Sequence, residues 1–310
     1  MNRIKTVFIV GPTASGKTDL SIKIAKRFDG EIISADSMQI YKGIHIASAA
    51  PDNDEMQGIK HHFIEFLDTD KQFSVADYVK SARSVIKEIA ENGKLPIVVG
   101  GTGLYVSSLL DNTDYLEEET DLDLRKELED EFSKIGGEEM LKKLSEFDAD
   151  SAARLHPNNK RRIIRAFEVY KLTGKTITEQ NLLSHNGDEL LDSLVLGITY
   201  NDREKLYERI NRRVDIMLSN GLLEEVQKTY LERNKSGGFQ AIGHKELYPY
   251  LDGEISLEEA VENLKRQTRR YAKRQLTWFR RDNRINWLTA DGDDDNFAIS
   301  ADIINEFLRR

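Results

Sequence analysis

The segment that most constrains this chain is Gly11-Pro12-Thr13-Ala14-Ser15-Gly16-Lys17-Thr18, set directly after the apolar run Thr6–Val10 and directly before a helix-patterned stretch, Lys17–Phe28. A strand, the spacing G-x-x-x-x-G-K-[ST] and a helix together build a phosphate cradle. Backbone N–H groups converge on an anion, backed by the positive end of the helix. Lys17 has the reach for a distal phosphate, and the Thr18 hydroxyl can ligate a magnesium ion. A second Gly174-Lys175-Thr176 lacks the first glycine, since Val169 stands five positions before Gly174, and it reads as a helix end.

Three further apolar runs, Glu31–Ala35, Leu95–Val99 and Leu194–Tyr200, read as buried parallel strands. Helix patterns at Lys17–Phe28 and Val75–Asn92 separate the first three strands. This alternation predicts an α/β fold, a P-loop NTPase-like doubly wound parallel sheet. Between about Asn112 and Asp192 the pattern turns helical and charged, with helices expected at 123–135, 138–146, 148–155 and 158–173. Further helices are expected at 202–220, 222–232, 244–251 and 256–281. The expected organisation is core residues 1–111, a helical insertion domain at 112–192, and core residues 193–310 with basic C-terminal helices.

In such a sheet ligands collect outside the carboxyl ends of the strands, so Gly11–Thr18, Asp36 and Thr102 border one crevice. Asp36 there suits a magnesium ligand, a general base or a helix cap. A nucleotide-splitting enzyme usually ends a second strand in an acidic residue, but Leu95–Val99 ends in Gly100-Gly101-Thr102-Gly103. The cradle therefore suits a diphosphate that is gripped without splitting a nucleotide. His61-His62 are adjacent, face different ways and read as structural. His156-Pro157 reads as the cap of the helix after it, and Tyr271, Ala272, Trp278 and Phe279 as a core-facing stripe.

The 310 residues carry 54 acidic and 45 basic side chains, a net charge of -9, which by itself argues against a nucleic-acid partner. Position reverses that argument. Nine acidic residues between Glu117 and Glu131 against Arg125 and Lys126 give -7, whereas Arg154–Lys175 gives +6 and Lys265–Arg284 gives +8. Both basic blocks are interleaved with aromatics, which makes polyanion contact a live expectation. Asp291–Asp295 reads as a solvated acidic loop. Cysteine is absent, so disulfides, thiolate nucleophiles and cysteine-ligated zinc are excluded. With a mean hydropathy of -0.54, no run of eighteen apolar residues and a basic start too short for a signal peptide, a cytoplasmic protein without membrane contact is expected.

Gly11–Thr18, Asp36–Tyr41, His61-His62, Phe73–Asp77, Gly100–Tyr105, His156–Asn158 with Arg162 and Arg165, and Lys273–Phe279 occur in that order. Up to about Trp287 this pattern resembles the bacterial tRNA dimethylallyltransferase family, also called tRNA isopentenyltransferases. The resemblance implies transfer of a dimethylallyl group from dimethylallyl diphosphate to the exocyclic amine of the adenosine 3′ of the anticodon. It implies Asp36 as the base, Thr102, Arg213 and Lys17 on the diphosphate, and a magnesium ion on Thr18. Gly11, Pro12, Thr13, Ala14, Ser15, Gly16, Lys17 and Thr18 would cradle the diphosphate. Contacts to the anticodon stem-loop are implied at Asp36, Ser37, Met38, Gln39, Thr102, Arg125, Arg161, Arg162, Arg165, Gln240, Gly243, Lys245, Lys273, Arg274 and Arg280. His244 departs from the pattern, which commonly has tyrosine there. The expected form is a monomer. Alternatives are an adenylate isopentenyltransferase using free nucleotides, a P-loop small-molecule kinase, and a non-catalytic RNA-binding protein.

Overall fold

The computed structural model describes residues 3–115, 121–183, 190–232, 237–292 and 295–310. Met1-Asn2, the acidic Glu117–Glu119 and Asp293-Asp294 lie outside the described residues. From the start the chain runs β1 (Ile4–Val10), α1 (Lys17–Arg27), β2 (Gly30–Ser34), α2 (His45–Ser48), α3 (Asn53–Met56), β3 (His61–His62), α4 (Val75–Glu91), β4 (Leu95–Gly100) and α5 (Gly103–Leu110). Next come α6 (Leu122–Ser145), α7 (Ala149–Arg154), α8 (Lys160–Thr173) and α9 (Ile177–Leu183). The chain ends through β5 (Leu191–Thr199), α10 (Arg203–Ser219), α11 (Leu222–Thr229), α12 (His244–Leu251), α13 (Leu257–Phe279), β6 (Ile285–Thr289) and α14 (Asn296–Arg309). Met1–Leu110 with Glu189–Arg310 form one compact unit, and Asp111–Asp188 form a second.

In the first unit the strands lie in the order β3-β2-β4-β1-β5-β6, every pair parallel. Alternation along each strand feeds two cores, one on each face. Phe8, Val10, Ile33 and Val98 pack with Tyr78, Ala82 and Ile86 of α4 and Tyr105 and Leu109 of α5. Val7, Ile9, Ile97 and Leu196 pack on the other face with Ile22 and Ile24 of α1 and Ile304 and Phe307 of α14. Helices thus cover both faces, which is the doubly wound arrangement.

The structure extends the sheet beyond the four expected strands. Ile4 pairs with Leu191, so residues 191 and 192 belong to the sheet rather than to the insertion; the half-exposed run Leu191-Asp192-Ser193, two of whose residues are polar, hides the strand start. β6 was missed because Asn286 interrupts its apolar run, yet the Asn286 amide donates to Val195 O at 3.1 Å. α14 caps its own start with Asp295, whose carboxylate accepts from the Phe297 and Ala298 N–H groups. Asp291 accepts from the Asn201 and Asp202 N–H groups, so these two acids are structural and not merely solvated.

The second unit contains only helices among its described residues. Its core joins Leu128, Met140 and Leu144 of α6 to Ile163, Ile164 and Phe167 of α8. Gly136, at φ 79°, breaks α6 where sequence predicts two helices. Gly137 lets the Pro157 carbonyl approach, since a Cβ there would stand 2.0 Å from it. His156 does not cap α8; its ring nitrogen accepts from Asn158 N–H in the preceding turn, and Asn159 occupies the cap position.

Glu31 is buried in β2 beside His62 of β3 at 2.8 Å, Lys94 at 2.9 Å and Lys60 at 3.4 Å. Burial raises its pKa, but the bonds from His62 and Lys94 and the charge of Lys60 outweigh burial and bring it down to about 2. This stabilisation is present above the ordinary value of 4.5 and is lost as pH falls through about 2. Glu31→Gln is expected to cost about 2 kcal/mol at neutral pH, part of the full linkage because both lysines are half-exposed. Urea unfolding of both proteins at pH 7 and pH 3 checks this, with the difference between them shrinking at pH 3.

Candidate active site

β2, β4 and β1 are consecutive neighbours, so the loops after Ser34, Gly100 and Val10 leave the sheet side by side. The cradle departs from β1 at Gly11, whose φ of 149° and whose approach to Ile198 O leave no room for a Cβ. It closes at Gly16, at φ 92° on the first residue before α1. Lys17 Nζ donates to Pro12 O at 2.6 Å, and Arg209 of α10 donates to Ala14 O at 2.9 Å. Ser15 Oγ is buried without a hydrogen-bond partner, which fits a site awaiting an anion.

The loops after β2 and β4 are joined by hydrogen bonds. Ala35 N–H donates to Val99 O at 2.8 Å, Thr102 N–H to Ala35 O at 3.1 Å, and Ser37 N–H to Thr102 Oγ1 at 3.0 Å. The Asp36 carboxylate accepts from Met38 N–H at 2.9 Å and caps no helix. Asp36 and Thr102 are therefore held in one short stretch of contacts.

Charge converges on the same place. Burial first, then the neighbouring Arg213 guanidinium, pulls the Lys17 pKa from 10.5 to about 7, with Asp36 opposing. Burial likewise works against the charge of Arg213, opposed by Asp36 and Glu55. Tyr271 of α13 stands against Thr102 and Gln275, and burial followed by the Asp36 charge pushes its phenol well up. Tyr105 is pushed up by burial, then by Tyr41 and Asp36, so its phenol, like that of Tyr271, stays neutral within the field of the carboxylate. The arrangement can hold an anion between Lys17, Arg213 and the cradle and accept a proton at Asp36.

A magnesium ion here would be shared between the protein and a bound phosphate. No group of three or more His, Cys, Asp or Glu among the described residues forms a cage, but Thr18 lies exposed in the first turn of α1. Magnesium commonly takes one or two protein oxygens and completes its shell with phosphates and water.

The structure sorts the expected RNA residues. Lys273 and Arg274 are exposed on α13, Arg280 at its C-terminal cap and Lys245 on α12, whereas the Gln39 amide is engaged by Ser34 Oγ and Ala49 O. Gly243 holds a φ of 110° at the start of α12, and Gln240 closes a 3-10 turn, Gly237–Gln240. His244 is fully buried, 3.6 Å from Glu225, whose carboxylate accepts from the Ile46 and Ala47 N–H groups, so it offers no surface contact. In the second unit Arg161, Arg162 and Arg165 line, with Arg154, a groove of about 400 Å³ floored by Leu155, Ala166 and Ile177. Arg125 and Arg165 also face buried Glu168 at 3.6 and 3.7 Å.

Tyr271, Gln275, Arg209 and Arg154 are site residues that sequence reading missed. Tyr271 was assigned to the core stripe, of which Ala272 and Phe279 are indeed buried. Trp278, in the same stripe, is 37% exposed and donates to Ser107 Oγ at 2.9 Å. The i, i+4 spacing of Tyr271 and Gln275 on α13 was the available signal.

The Lys17 shift sets a pH dependence. Burial and Arg213 hold Lys17 neutral above about pH 7, and a diphosphate bound there would favour the charged form, so binding takes up a proton. Inorganic diphosphate affinity is expected to fall as pH rises above about 7, by up to about tenfold per unit. Calorimetry at pH 8 in buffers of different ionisation enthalpy should show the uptake, and Lys17→Met should abolish it.

Residues 39–282 match the family described as IPP transferase. The tRNA dimethylallyltransferase of Caldanaerobacter subterraneus subsp. tengcongensis is 48% identical over 295 residues, covering 93% of this chain and 92% of its own. That of Bacillus subtilis is 48% identical over 290 residues, with 93% and 92% covered. Among solved structures, the full-length tRNA isopentenylpyrophosphate transferase from Bacillus halodurans superposes with a TM-score of 0.73 at 44% identity, covering 99% of this chain and 97% of that one. A eukaryotic dimethylallyltransferase acting on tRNA gives 0.85 at 30% identity, covering 99% and 80%. Sequence, sheet and relatives agree, and this chain belongs to the IPP transferase family.

Proposed function

We propose that this chain is a tRNA dimethylallyltransferase that moves a dimethylallyl group from dimethylallyl diphosphate to the exocyclic amine of the adenosine 3′ of the anticodon, releasing diphosphate. The observation that carries this reading is the joining of the cradle, Thr102 and Asp36 at the ends of three adjacent strands. A carboxylate opposite a cradle that lacks an acidic strand end suits proton removal beside a departing diphosphate.

The adenine amine is a weak nucleophile because its lone pair is delocalised into the ring. As its nitrogen bonds to the allylic carbon, the carbon–oxygen bond to diphosphate breaks and the amine proton passes to Asp36. Base assistance of this kind contributes about 10²- to 10⁴-fold. Lys17, Arg213, the Thr102 hydroxyl and the cradle N–H groups receive the negative charge that grows on the leaving oxygen. Thr18 would hold the magnesium ion, which supplies further charge neutralisation when bound. The nearby phenols of Tyr105 and Tyr271, both pushed up by burial and by the Asp36 charge, add no competing charge beside Asp36.

The target base must leave the anticodon loop to enter the crevice, at a cost of a few kcal/mol. Exposed Lys273, Arg274 and Arg280 and the arginine groove of Arg154, Arg161 and Arg162 offer compensating phosphate contacts on the anticodon stem-loop. The protein works as a monomer in the cytoplasm, where its tRNA substrate is found.

Incubation with dimethylallyl diphosphate, magnesium and unmodified tRNA should add one dimethylallyl group to one adenosine by mass spectrometry. Equal turnover of free AMP would instead favour an adenylate isopentenyltransferase. Asp36→Ala should slow single-turnover transfer by about 10²- to 10⁴-fold while leaving tRNA affinity close to normal. A near-normal rate overturns the base assignment. Arg161→Ala with Arg162→Ala should weaken tRNA binding and flatten its logarithmic salt dependence by about 0.7 to 0.9 for each lost phosphate contact, read by titration at several salt concentrations.

A further inference from the structure

We infer that Gln275 is a positioning residue whose buried amide ties the tip of the phosphate cradle to the turn that carries Thr102. Its Oε1 accepts from Thr13 N–H at 2.8 Å and its Nε2 donates to Gly101 O at 2.9 Å. The partners fix the orientation of the amide, since a backbone N–H requires an oxygen opposite it and a carbonyl requires a nitrogen. The bonds join α13 to segments 262 and 174 residues away in sequence. Gly101 leaves the space they need, for a Cβ there would stand 2.0 Å from Gln275 Nε2.

A side-chain amide carries one acceptor and one donor atom side by side, and glutamine has the required reach from α13. Glutamate would accept from Thr13 but set a second carboxylate oxygen against Gly101 O, and methionine would leave both backbone groups unpaired and buried. One turn earlier on the same helix, Tyr271 faces Thr102, so α13 supports this turn at two points. Gln275 sets the distance between the cradle that holds the leaving group and the hydroxyl beside the breaking bond. Displacements of about 1 Å at such places cost about 100-fold in rate. The inference rests on the transferase reading for its rate effect, whereas its effect on anion binding stands by itself.

The experiment compares wild type with Gln275→Met, Gln275→Glu, Gln275→Ala, Gly101→Ala and the double variant Gly101→Ala/Gln275→Ala. Gln275→Met and Gln275→Glu should each slow single-turnover transfer by about 10- to 100-fold and weaken inorganic diphosphate binding by about tenfold, with tRNA affinity unchanged. Gly101→Ala should reproduce both losses from the other side of the bond. The double variant should cost no more than the worse of its two single variants, because both break one link. A Gln275→Met protein that melts earlier but retains its transfer rate and diphosphate affinity overturns the inference, as does simple additivity in the double variant. If Gln275→Met does not fold, Gly101→Ala carries the test with α13 unaltered. If wild type makes no dimethylallylated RNA, the transferase reading fails, and diphosphate affinity alone decides the role of Gln275: tenfold weaker binding supports it and unchanged binding overturns it.

Discussion

Gly100, Gly101 and Gly103 set how near the ends of β2 and α13 come to Thr102. A Cβ on Gly100 would lie 2.2 Å from Ala35 O, one on Gly101 2.0 Å from the Gln275 amide, and one on Gly103 2.4 Å from the Trp278 ring. Any larger residue would push against the β2 backbone, the buried Gln275 amide or the Trp278 ring. The absence of three side chains therefore brings Asp36, Thr102 and the cradle together, and the hydrogen bonds between the loops hold them at that separation. Each such bond adds about 1 kcal/mol to stability, a small sum. Their larger value lies in fixing distances on which a transfer step depends.

The electrostatics follow from this closeness. Lys17 and Arg213 share a partly enclosed space with Asp36, which opposes the cost of burying two cations. That cost shows as a lowered Lys17 pKa, and an anion bound beside it would relieve it. Strain of this kind is stored where ligand binding can release it. Glu31, at the other end of β2, has the opposite balance, with three basic partners for one carboxylate and a purely structural result.

The uneven charge of the chain also looks different once folded. Glu168 draws in Arg125 and Arg165, Asp215 binds Lys265, and Asp282 chelates Arg284, so part of each basic block is spent internally. Most of both blocks still faces outward. Arg154, Arg161, Arg162, Lys171 and Lys175 remain exposed in the helical unit, and Arg266, Arg270, Lys273 and Arg274 on α13, with Arg280 and Arg281 just after it, in the sheet unit. His244, where the sequence departs from the resemblance, lies fully buried beside Glu225 and offers no surface to a partner.

Patterns local in sequence were legible without coordinates: the cradle after β1, the apolar strands, the charged helices with a break at Gly136, and the family resemblance. Such features depend on backbone geometry and residue periodicity within a few turns of chain. β6 and α14 were not legible, since Asn286 becomes a strand residue only when Val195 O lies opposite it. The same holds for Gln275, one polar residue among many on α13 until the fold places Thr13 and Gly101 at either side of its amide. The amino-acid sequence by itself thus determined the sheet class and the chemistry on offer. Only the tertiary structure decided which distant residues meet, because strand order and glycine contacts are settled by packing between segments far apart in the chain.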